Sequence, residues 1–99
     1  MILRTIGSIS LIVGETREVF VDVRNASTPT FEINRPAYWT LAKRHSDEIE
    51  EQGDLQIIGD NFHTLKATIS PQKKGVYYLV YTFHIADETI KVRAEVKVS

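Results

Sequence analysis

The stretch GVYYLVYTFHI, residues 75–85, decides the fold, because it is apolar on both of its alternating faces. Tyr77, Leu79, Tyr81, Phe83 and Ile85 form the more apolar set, while Val76, Tyr78, Val80, Thr82 and His84 form the other. A strand of this kind sits in the middle of a sheet with both faces at least partly covered. The closing segment of the chain has one buried and one wet face. Ile90, Val92, Ala94, Val96 and Val98 alternate with Lys91, Arg93, Glu95 and Lys97, the period of two that marks a strand. Only Ala86-Asp87-Glu88 separates the two segments, so they are expected to form an antiparallel hairpin.

Working outward, the same period recurs toward the N-terminus. Ile9, Leu11 and Val13 alternate with Ser8, Ser10 and Ile12, and Gly14-Glu15-Thr16 turns the chain. Val19, Val21 and Val23 then face inward against Glu18, Asp22 and Arg24, before a turn cluster over Asn25 to Pro29. Phe31 and Ile33 open a third strand, which Arg35-Pro36 interrupts, since proline has no ladder donor. Ala37, Trp39 and Leu41 resume it. Leu55, Ile57 and Ile58 precede the turn signal Gly59-Asp60-Asn61, and His63, Leu65, Ala67 and Ile69 carry the next strand. Ser46 to Gln52 has a single apolar residue, Ile49, and reads as an acidic loop with at most one helical turn. About seven strands at this spacing predict an all-β antiparallel sandwich.

Composition narrows the function classes. A chain of 99 residues is one domain, expected to span 1–99. The absence of cysteine removes disulfide frameworks, thiolate metal sites and cysteine nucleophiles. A formal net charge of −1 argues against a dedicated nucleic-acid binder, which is normally strongly basic. At the N-terminus, Arg4, Thr5, Gly7, Ser8 and Ser10 break the apolar run that a signal peptide needs. No segment approaches the roughly 18 apolar residues of a membrane span, so neither membrane insertion nor a targeting segment is expected.

Gly75-Val76-Tyr77, opening the doubly apolar strand, resembles the tyrosine corner of immunoglobulin-like sandwiches. There a tyrosine at the start of the penultimate strand hydrogen-bonds back to the preceding loop. Trp39 on the third strand is similar to the core tryptophan of those domains, although the chain has no disulfide pair and its Trp39–Tyr77 stretch is shorter than in antibody domains. Bacterial and phage modules of this type commonly lack the disulfide. The closing pattern PQKKGVYYLVYTF, then IADETIKVRAEVKV, is similar to small structural or accessory proteins of phages and prophages. The resemblance implies a non-catalytic module that packs against other protein chains as an assembly or virion part, while cytoplasmic synthesis is expected from the broken N-terminal apolar run and the lack of a membrane span. A β-sandwich binding a carbohydrate or cell-surface ligand is the alternative, and Tyr38, Trp39 and Tyr78 are the aromatics available for it.

Catalytic and metal motifs are missing: there is no G-x-S-x-G elbow, P-loop, H-E-x-x-H or G-x-G-x-x-G. His45, His63 and His84 are far apart in sequence. His63 and His84 fall on strands and could meet near Asp60 or Asp87 as a zinc site, but unrelated histidines on sheet faces are the commoner case. Asp47, Glu48, Glu50, Glu51 and Asp54 crowd one segment without the ligand spacing of an EF-hand, so no cofactor is expected. Lys91, Arg93 and Lys97 line the wet face of the last strand, which is expected at a sheet edge. These eight residues form the expected interaction surface, for a protein partner or self-assembly. Phe20 and Tyr38 are expected to be exposed aromatics.

Overall fold

The computed structural model of the protein describes residues 4–23, 33–46, 48–58, 64–85 and 87–99. Among these residues it is all-β, with eight strands: β1 (Arg4–Leu11), β2 (Arg17–Asp22), β3 (Ile33–Lys43), β4 (Ile49–Asp54), β5 (Gln56–Ile58), β6 (Thr64–Ile69), β7 (Gly75–Ile85) and β8 (Glu88–Val98). They form a five-stranded sheet, β1-β8-β7-β3-β4, and a three-stranded sheet, β2-β6-β5. The turns expected at 25–29 and 59–61 lie outside the described residues, as do Asp47, Asp60 and His63.

The β7–β8 hairpin forms as its alternation requires, with Tyr77 opposite Val96, Leu79 opposite Ala94 and Tyr81 opposite Val92. All six of these residues are buried. Trp39 and Leu41 of β3, Val19 and Val21 of β2, and Leu65, Ala67 and Ile69 of β6 join them in one core cluster. Burying side chains of this size contributes roughly 1.5–3 kcal/mol each, which is what holds the two sheets together. Two core tyrosines also need partners for their hydroxyls. The Tyr81 hydroxyl donates across the core to the Val19 carbonyl of β2 at 2.9 Å. Tyr77 donates to the Lys73 carbonyl at 2.8 Å, the backward bond to the preceding loop that the Gly-Val-Tyr step predicts.

Three expectations are corrected. The segment read as an acidic loop is an edge strand: β4 pairs antiparallel with β3, Trp39 opposite Gly53 and Leu41 opposite Glu51. Its inward positions carry glutamate and glycine instead of apolar side chains, so no hydrophobic alternation betrays it. The Trp39 indole fills the space over Gly53: a Cβ built there would come within 2.9 Å of Nε1. The last strand is not at an edge, because β1 covers its outer ladder, and it does so in parallel. Chain geometry explains the pairing. After β1 a turn closed by the Glu15 N–H donating to the Ile12 carbonyl (3.0 Å), with Gly14 at φ 89°, delivers β2 to the opposite sheet. β1 therefore cannot pair with its successor and lies beside β8. Finally, β4 brings the described strands to eight instead of about seven, whereas Arg35-Pro36 interrupts the third strand as expected, with a register irregularity between Asn34 and Tyr38 before Trp39 and Leu41 resume it.

Candidate interaction surface

The acidic and basic sets do not meet. β4 is one edge of the five-stranded sheet, and β8 lies three strand spacings away, about 14 Å at the usual separation. Nor do the acidic residues act as a unit. Glu51 is inward and half-buried, and it accepts the Ser70 N–H at 2.9 Å, tying the edge strand to the end of β6. Glu50 sits 3.3 Å from the Tyr77 hydroxyl, a second acceptor for a proton that the nearer Lys73 carbonyl takes. Burial raises the Tyr77 pKa, and the neighbouring Glu50 and Glu51 carboxylates push it further in the same direction. Glu48, Glu50 and Glu51 face Lys73 across an open cleft of about 340 Å³. Among the described residues no three histidine or acidic side chains are placed to hold a metal ion. His84 Nδ1 lies 2.9 Å from the Pro36 carbonyl, a bond it makes only as the donor.

Asp54 is different. It lies opposite Tyr38, whose own neighbour is Thr82 on β7, which in turn faces Lys91 on β8. The next row runs Gln52, Thr40, Val80, Arg93, and the third Ile49, Ala42, Tyr78, Glu95. These twelve residues make up the outer side of the five-stranded sheet, opposite the core, and all but Thr82, which is buried at 3% exposure, are at least partly exposed. Its two central strands contribute no charge in these rows. Tyr38 and Ile49 are among the exposed large hydrophobic residues, at 38% and 49% exposure. Phe20 is exposed too, as expected, but it stands on β2 in the other sheet.

On the β8 side, Arg93 stacks on the Tyr78 ring, 4.4 Å from its centroid. Such a contact is worth about 0.5–1 kcal/mol at an exposed site. Glu95 lies 3.8 Å from Arg44 and 3.9 Å from Lys97, pairs that at this exposure contribute at most about 1 kcal/mol each. Lys91, Arg93 and Lys97 therefore lie on one face as expected, on an interior strand instead of an edge. Sequence reasoning omitted Val76, Val80 and Ile49 from this surface. The signal was present in the doubly apolar β7, whose outer set is a surface and not a second core. Neither a protein-family model nor a curated protein sequence matches the chain.

Proposed function

We propose that the chain is a non-catalytic, immunoglobulin-like module that acts by packing against other protein chains, as a structural or accessory component of a phage or prophage particle. The observation that carries the interaction role is the outer face of the five-stranded sheet. There, two adjacent central strands present tyrosine, threonine, valine and alanine with charges only at the flanks. Protein interfaces have this anatomy, an uncharged centre enriched in aromatics and a polar rim.

The immunoglobulin-like reading draws support from the strand order. β3-β7-β8 in one sheet and β2-β6-β5 in the other match the third-sixth-seventh and second-fifth-fourth strand neighbours of a seven-stranded immunoglobulin sandwich, once β4 is counted as an added edge. The Tyr77–Lys73 bond and the buried Trp39 are in keeping with it. The carbohydrate-binding alternative is weakened by the same geometry, because Trp39 is buried and Arg93 covers one face of Tyr78. That leaves Tyr38 as the open ring of the three.

The test is to band particles from an induced culture carrying the gene and quantify this chain by mass spectrometry. A fixed number of copies per particle is expected. A chain found only outside the particles, and retained on a glycan surface, overturns the reading.

A further inference from the structure

The geometry points to a second copy of this chain as an occupant of the outer face, packed sheet to sheet about a two-fold axis that runs along the strands between β3 and β7. This inference rests on the interaction role proposed above and names a partner for it.

The axis follows from the charge pattern. Two sheets meeting face to face must be related by an axis lying in the plane between them. If that axis runs along the strands, each row is laid over itself in reverse. Asp54 of one copy then faces Lys91 of the other, twice by symmetry, and Gln52 faces Arg93. The uncharged Tyr38, Thr40 and Val80 meet one another at the centre, while Thr82 between them and Lys91 is already buried in the single chain. If the axis runs across the strands instead, β8 lies on its own copy, and Arg93 is brought against Arg93. That arrangement turns Asp54 toward Ile49, and although it sets Lys91 against Glu95, the like-charged Arg93 pair stands between those contacts. Both arrangements make two opposite-charge pairs, and the first is selected because it alone sets no like charges face to face. Aligned sheets cross at about 30°, a displacement that the flexible Lys91 side chain absorbs.

The face is small. Four strands about 4.8 Å apart, with alternate residues about 6.8 Å apart along each, give a projected area of roughly 400 Å² per copy. Two such faces total about 800 Å², below the roughly 1,200–2,000 Å² of stable interfaces and in the range of weak, transient ones, so the dimer is transient and sensitive to salt. Glu48, Glu50 and Glu51 take no part, because they line the cleft beside Pro71 and Lys73; Ile49 borders the same cleft, so the contact is centred on the first two rows.

Sedimentation equilibrium of the full chain, from micromolar to near-millimolar concentration, tests the proposal. A monomer–dimer equilibrium that weakens as salt rises is expected. Asp54→Lys alone and Lys91→Asp alone should each remove it, since each sets like charges face to face at both symmetric positions. Mixing the two variants should restore it, because the heterodimer then has two attractive pairs. Glu48→Lys, which changes net charge by the same amount as Asp54→Lys, should leave the dimer intact. A wild-type monomer at high concentration and low salt overturns the proposal, as does a dimer indifferent to Asp54→Lys or a mixture that associates no better than its parts. Particle incorporation by a strictly monomeric chain would defeat only the self-association. A dimer absent from particles would defeat only the assembly role.

Discussion

Leu79 and Val80 are neighbours in β7, yet Leu79 is wholly enclosed and Val80 is half exposed. The strand divides in this way from Val76 to Tyr81, beyond which the outward Thr82 is itself buried. Tyr77, Leu79, Tyr81 and Phe83 point into the other sheet, each at 0% exposure. Val76, Tyr78 and Val80 point away from it and are only partly covered, Tyr78 by the Arg93 guanidinium. A strand apolar on both parities thus serves two purposes. One face supplies the core, and the other supplies the uncharged centre of an exposed surface. Hydrophobicity is similar on the two; what separates them is whether a second layer exists to pack against.

Replacing Leu79 by alanine is the strongest way to probe the inner face, and it should cost about 2–5 kcal/mol in urea unfolding, the usual range for a buried leucine. A milder pair compares the two faces at constant shape. Val96→Thr puts an unpartnered hydroxyl into the core and should cost about 1–3 kcal/mol. Val80→Thr, on the half-exposed face, should stay within about 0.5 kcal/mol of wild type in dilute solution. Equal costs for the two would mean that the outer face is covered as fully as the inner one.

Gly53→Ala sharpens the comparison at the sheet edge, where the Trp39 ring occupies the space a Cβ needs. Overpacking of that kind costs about 1–3 kcal/mol, and near-ultraviolet circular dichroism should report the displaced indole. The two hydroxyl bonds of β7 come next. Tyr81→Phe leaves the Val19 carbonyl without its donor in the core, while Tyr77→Phe does the same to the more accessible Lys73 carbonyl. Both lie within about 1–3 kcal/mol, with Tyr81 the larger. An unchanged urea midpoint for Tyr77→Phe would show that the backward bond contributes nothing.

A pH effect arises from the same two residues. Burial raises both phenol pKa values above the ordinary 10.0, and at Tyr77 the nearby carboxylates add to it. The folded state therefore holds these protons to higher pH than the unfolded chain does. Their contribution is intact below about pH 10 and is lost as pH climbs through the raised folded values. Stability should fall in that alkaline range, and less steeply in Tyr81→Phe.

The β7–β8 hairpin and the core were legible in the sequence because alternation states directly which side chains are buried. Trp39, Tyr77, Leu79, Phe83, Val92 and Val96 are all where that pattern puts them. Alternation does not state which strands are neighbours. Lysines and arginine on every second residue of β8 describe a wet face, and a wet face belongs equally to an edge strand and to an interior one. That is why the parallel pairing of β1 with β8 was out of reach. β4 was hidden for another reason. Its inward residues are Glu51, which bonds to the Ser70 backbone, and Gly53, which makes room for Trp39. A strand that contributes space and a hydrogen bond instead of apolar bulk leaves no periodic trace. The acidic cluster consequently looked like one site, whereas the structure assigns Glu51 to a cross-sheet tie, Glu50 to the surroundings of Tyr77, and Asp54 to the outer face.

The most direct test of the account reads both faces of the wild-type protein at once. Methyl NMR spectra of the valines and leucines, recorded through a dilution series at low salt, should show Val76 and Val80 shifting with concentration while Leu79 and Val96 stay fixed. High salt should abolish the movement. Shifts confined to Val19 and Val21 on β2, or no shift at any concentration, would contradict the assignment of the outer face as the surface through which the chain associates with itself.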